Sequence, residues 1–160
     1  MGPLTSANLS RLRVLGAAAV VLGLAGCTKE PETVPASCFG EPAGLLTALR
    51  QAPDAVALRD GTRLSRCVST ARTDGDLQSL GISFGRTADM LRARADGDPA
   101  AALQLGYLAG AVRAGARGAT SGIAEQLARR MGQLAALGPR AGAAETSALA
   151  RGLRAGESSG

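Results

Sequence analysis

The residues of this chain that could carry chemistry are few, and most lack the partners their chemistry needs. Gly81-Ile82-Ser83-Phe84-Gly85 has the Gly-x-Ser-x-Gly spacing of a hydrolase nucleophile elbow. That device works at a strand-to-helix turn with a histidine to take the serine proton, and the chain has no histidine. The run from Gly115 to Gly122 is rich in glycine but lacks the Gly-Lys-Ser or Gly-Lys-Thr ending of a phosphate-cradling loop. Asp74-Gly75-Asp76 lacks the spaced oxygen ligands and closing glutamate of a calcium loop. Glu125 and Glu145 fall near the starts of helices, where a carboxylate is favoured by the helix dipole, so capping is their expected role. No catalytic residue is assigned, and the expectation is a protein that is not an enzyme.

Composition narrows the classes further. Ala, Gly, Arg and Leu dominate, with one lysine (Lys29) and no tryptophan. A GC-rich genome writes such a skew, so the arginine excess is weak evidence for a ligand. The formal net charge is +5, of which Arg11 and Arg13 supply two near the amino terminus. The remaining arginines are scattered singly or in pairs among Asp and Glu, and one Tyr and two Phe offer little stacking surface for bases. Solvated helix faces explain this pattern, and nucleic acid is not an expected partner.

The most specific signal lies at the start of the chain. Arg11 and Arg13 form a positive n-region, and Val14 to Leu24 form an uncharged apolar stretch. That stretch suits the h-region of a secretory signal and is too short to span a bilayer. It ends in Leu24-Ala25-Gly26-Cys27, an aliphatic residue and two small residues before a cysteine. All four positions match the lipobox, and in this the chain resembles the bacterial lipoprotein family. The resemblance implies a precursor cleaved after Gly26, with a diacylglyceryl thioether on Cys27 and often an acylated amino group. Two or three acyl chains on one residue make a firm membrane anchor. The expected location is the cell envelope, on the outer side of the cytoplasmic membrane, or the outer membrane if the host has one. Thr28 stands where an Asp would resemble an inner-membrane retention signal.

With Cys27 given to lipid, only Cys38 and Cys67 remain as soft ligands, and without histidine no metal site is expected. An even number of thiols in an oxidising compartment usually means a pair, so a Cys38–Cys67 disulfide is expected. The alternative is two free buried cysteines, since Cys67 sits on an apolar stripe. No cofactor is implied.

The elements that must position these residues read as helices. Thr28 to Ser37 carries charge, two prolines and no apolar period, which predicts an extended, solvated tether (27–37) with a reach of about 30 Å. Pro42 to Ala52 carries Leu45, Leu46 and Leu49 on one side and is closed by Pro53. Asp60-Gly61 is a hairpin signal, but Leu64, Cys67, Val68 and Ala71 keep helical spacing with Thr62 as the N-cap, which favours a helix over 63–72. Leu77, Leu80, Phe84, Ala88, Leu91 and Ala95 make one stripe over Asp76 to Ala95. Asp98-Pro99 opens a fourth helix bearing Leu105, Leu108, Ala109, Val112 and Ala116. The uncharged span Pro99 to Val112 is too short for a membrane and reads as a buried core helix. A weak break at Thr120-Ser121-Gly122 precedes Ile123, Leu127, Met131 and Leu134, and Gly138-Pro139 ends that pattern. A last short helix, about Ala143 to Ala155, has Leu149 and Leu153 four apart. Gly81 with Gly85, and Gly106 with Gly110, either mark close helix packing or reflect composition alone.

The fold class expected is therefore all-α, a small bundle of about five helices over 38–156, after a signal (1–26) and tether, with a disordered tail at 157–160. The stretch Ala102 to Leu108 is similar to segments of lipoproteins from GC-rich bacteria, which implies nothing about activity. Two functions fit: a non-catalytic helical interaction or structural module for an unknown envelope protein, or a carrier or sensor of an amphiphilic small ligand in a cavity between helices.

Overall fold

A computed structural model describes residues 32–119 and 122–160, so the signal segment, Cys27 and the lipobox lie outside the described residues. A 3-10 turn at Ala36–Phe39 leads into α1 (Pro42–Leu49), α2 (Leu64–Ser69), α3 (Asp74–Ala95), α4 (Pro99–Arg117), α5 (Gly122–Leu134) and α6 (Ala143–Ser159). The all-α class stands. Among the described residues the expected five helices become six, because the fourth ends at Arg117 and a separate helix starts at Gly122.

At the heads of α3, α4 and α6, polar side chains satisfy backbone N–H groups that have no partner within the helix. On α3 the Thr73 hydroxyl accepts from the Asp76 N–H at 3.1 Å, and the Asp76 carboxylate accepts from the Thr73 N–H at 3.1 Å. This capping box satisfies donors at both ends of the first turn. Asp98 caps α4, accepting from Ala100 N–H at 2.9 Å and Ala101 N–H at 3.2 Å, with Pro99 at the first helical position. Glu145 accepts from the Gly142 N–H at 2.9 Å at the head of α6, the role its position suggested.

The Thr73 hydroxyl, and after it the Thr73 N–H, hold the Asp76 carboxyl below the usual aspartate range. A folded-state value below the unfolded one gives stability that is complete above about pH 4 and is lost as pH falls through the folded value. Thr73→Ala is expected to cost about 1 kcal/mol at neutral pH. Its deficit against wild type should shrink in urea denaturation at pH 3. An equal deficit at both pH values would contradict the coupling of cap and carboxylate.

α4 is the central helix and packs against α2, α3, α5 and α6. The stripes read from the sequence on α3 and α4 are buried throughout, from Leu77 to Ala95 and from Leu105 to Ala116. Each buried Leu or Phe contributes roughly 1.5–3 kcal/mol relative to exposure. On α5, Leu127 and Met131 are buried while Ile123 is partly exposed. Tyr107 is wholly buried in α4; its hydroxyl accepts from the Val56 N–H at 2.9 Å and lies 3.3 Å from the Ser159 hydroxyl. A buried tyrosine is tolerated when its polar tip is satisfied in this way.

The turn signal and the helix signal around residue 60 both operate. Gly61 has φ +81°, Ala57 and Arg63 form an isolated antiparallel bridge, and the Leu58 N–H donates to the Thr62 carbonyl at 2.9 Å. The helix follows directly, one turn shorter than expected, and Arg63 rather than Thr62 is its N-cap residue. The bridge occupies the backbone at residue 63, so the helix begins only beyond it.

The carboxyl end departs most from expectation. In place of a disordered tail from residue 157, α6 continues to Ser159. Glu157 pairs with Arg113 at 2.8 Å, and the Ser65 hydroxyl donates to the Gly160 carbonyl. The buried line of α6 is Ala148, Gly152 and Gly156, flanked by the partly buried Leu149. Small size, rather than apolarity, sets this contact.

Candidate functional site

Two places in the domain are built closely enough to bear on function: the entry of the chain and the seam between α4 and α6. At the entry, Glu32 pairs with Arg66 of α2 and Val34 packs against the core. Cys38, in the 3-10 turn, is fully buried and is disulfide-bonded to Cys67 of α2, with a Cα–Cα distance of 5.6 Å. The Ser37 hydroxyl donates to the Asp60 carboxylate at 2.7 Å. That bond, with the Thr62 N–H on the other oxygen, holds the Asp60 carboxyl below its usual range. The expected pairing of Cys38 with Cys67 is thus present. The expected solvated tether through Ser37 is shortened, because the domain already grips the chain at Glu32 and Val34.

Ser83 completes the entry. It lies in the middle of α3, and its hydroxyl donates to the Gly40 carbonyl at 2.7 Å, tying the end of the 3-10 turn to the helix. Its neighbour one turn on, Thr87, donates to the Ser83 carbonyl at 2.9 Å. The Gly-x-Ser-x-Gly sequence therefore has a packing role here, with no turn to expose the serine. Asp76 is occupied by the α3 cap, and Glu125, in the first turn of α5, pairs with Arg129 at 3.7 Å. No cluster of three or more His, Cys, Asp or Glu side chains that could hold a metal gathers among the described residues.

The seam was only half visible in the sequence. A Cβ on Gly106 would stand 2.2 Å from the Leu149 carbonyl oxygen, and one on Gly110 would stand 2.2 Å from that of Leu153. The relation is reciprocal: a Cβ on Gly152 would meet the Leu103 oxygen at 2.0 Å, and one on Gly156 the Tyr107 oxygen at 2.1 Å. Carbonyls of each helix sit over glycines of the other, the geometry in which Cα–H groups contact carbonyl oxygens. Gly81 and Gly85 do no such thing: the first would make ordinary contact with Leu127 at 3.6 Å and the second meets nothing within 4 Å. Gly152, Gly156 and Gly160 carry no apolar signal of their own, although their spacing of four residues matches that of Gly106 and Gly110.

A groove of about 850 Å³ runs between α4 and α5, lined by Arg113, Arg117, Arg129 and Glu125 over small residues that include Ala116 and Gly132. Its cations are engaged: Arg113 with Glu157, Arg129 with Glu125, and Arg117 with the Glu157 carbonyl at 3.5 Å. Two of these links join α4 to α6, and the third joins successive turns of α5. No helix among the described residues is long and apolar enough to cross a membrane. Comparison with protein-family models, with curated proteins and with solved structures finds no match.

Proposed function

We propose that the chain is the precursor of a membrane-anchored lipoprotein of the bacterial envelope, exported by residues 1–26 and lipidated at Cys27. Its helical domain serves as a non-catalytic interaction module for another envelope component. The observation that carries this reading is the Cys38–Cys67 disulfide. Such a bond belongs to an oxidising compartment outside the cytoplasm. It also takes two of the three cysteines and leaves Cys27, the cysteine of the Leu24-Ala25-Gly26-Cys27 lipobox, outside the pair. The serine of the Gly-x-Ser-x-Gly sequence is taken up in packing against Gly40. A module is preferred to a carrier of an amphiphilic ligand because the groove between α4 and α5 is open and lined by paired charges.

Lipidation is tested by metabolic labelling with palmitate in a bacterial host. The wild-type chain is expected to incorporate label, and Cys27→Ser to lose it while still accumulating as folded protein, since Cys27 precedes every residue the domain grips. Label retained in Cys27→Ser would overturn the assignment.

A further inference from the structure

The large apolar side chains exposed among the described residues are Phe39, Ile82, Met90 and Ile123, and three of them share one face. Phe39 and Ile82 border one shallow groove, and Ile82 and Ile123 border the next. Ile82, 52% exposed, stands at the centre on the outer side of α3, with Phe39 (40%) and Ile123 (36%) on either side. Arg86 and Glu41 line the first groove, Arg130 and Asp74 the second, so the charges around the patch balance. Phe39 directly follows the disulfide-bonded Cys38, so the patch lies beside the place where the chain enters the domain.

We propose that this face, centred on Ile82, is a membrane contact that lies on the lipid surface to which the chain is anchored. The proposal rests on the lipidation of Cys27. Its further support is the length of chain between anchor and domain. Val34 already packs against the core, so only Thr28 to Thr33 separate Cys27 from the seated chain, and seven backbone steps span at most about 25 Å. The domain therefore stays close to the bilayer, and the surface around the entry is the surface within reach. A few apolar side chains bind a free protein to lipid only weakly. A short tether raises their effective concentration to the millimolar range, where weak contacts are populated. The balanced charge around the patch means that the contact does not require anionic lipid.

The test uses the absence of tryptophan from the chain. Ile82→Trp, Phe39→Trp and Arg151→Trp are each made in the full precursor, purified as mature lipoprotein and reconstituted into phosphatidylethanolamine–phosphatidylglycerol vesicles with brominated acyl chains. Arg151 is an exposed residue of α6, which packs on α4. All three proteins are expected to float with the vesicles. Bromine should quench the tryptophans at 82 and 39 at least twofold more than the one at 151. Replacing phosphatidylglycerol by phosphatidylcholine should leave this difference in place. Equal quenching at all three positions in floating protein would overturn the contact, leave anchoring intact, and turn the patch over to a protein partner. Failure to float would overturn anchoring and contact together.

Discussion

Gly156→Ala and Gly152→Ala are expected to destabilise the domain by about 3 kcal/mol or more each, at or beyond the upper end of ordinary overpacking costs. Intrinsic propensity argues the other way, since alanine in a helix interior is worth roughly 1 kcal/mol over glycine. Packing decides the sign. The added methyl would stand 2.1 Å from the Tyr107 carbonyl oxygen at position 156 and 2.0 Å from that of Leu103 at 152. Both obstacles are backbone of a central, buried helix, so relief requires α6 to lift from α4. That movement would strain the Arg113–Glu157 pair and the bond of Ser65 to Gly160. Gly85→Ala supplies the contrast: it lies inside α3 with nothing within 4 Å of the added carbon. It should gain about 0.5–1 kcal/mol. Denaturant midpoints of the three variants measure this directly. A gain at positions 152 and 156 comparable to that at 85 would contradict the seam.

Reduction of Cys38–Cys67 is the second large effect. The bond closes a loop of sequence separation 29, worth about 3.5 kcal/mol in the chain-entropy model. For a domain of this size that amounts to a fall in Tm of roughly 10–15 °C. Helicity below the transition should persist, because α3, α4, α5 and α6 all lie outside the closed loop. The damage should be local: the 3-10 turn, α1 and the loop to Gly61 lose the covalent tie to α2, keeping the bonds of Ser37 to Asp60 and Ser83 to Gly40. Circular dichroism melts with and without reductant read both parts of the expectation. An unchanged Tm, or collapse of the helical spectrum at low temperature, would contradict it.

These two cases show what was legible in the sequence. The stripes on α3 and α4 were readable because a buried helix face repeats large apolar residues at helical spacing, and the caps at Asp98 and Glu145 because their side chains act on adjacent backbone. The disulfide is legible from the even number of remaining thiols and the expected compartment, with no need of geometry. The α4–α6 seam was not readable, since glycine and alanine carry little hydrophobic signal and Leu149 and Leu153 drew attention away from the line at Ala148, Gly152 and Gly156. Smallness acquires meaning only against a partner helix, and which glycines face one depends on the tertiary fold: Gly106 and Gly110 do, Gly85 does not. The grip on the chain at Glu32 was hidden for a similar reason. Its partner Arg66 lies 34 residues away, and no local pattern links the two. At Asp60-Gly61 the turn signal and the helix signal are compatible: the turn closes the bridge between Ala57 and Arg63, and the helix starts just beyond it.

The account turns on Cys27, and the most direct measurement is the intact mass, with fragmentation, of the protein purified from bacterial membranes. The prediction is a chain that begins at Cys27, carries a diacylglyceryl group on that residue, and is two hydrogens lighter for the Cys38–Cys67 bond. A mature chain that retains residues 1–26, or begins elsewhere, or carries Cys27 as a free thiol would contradict it.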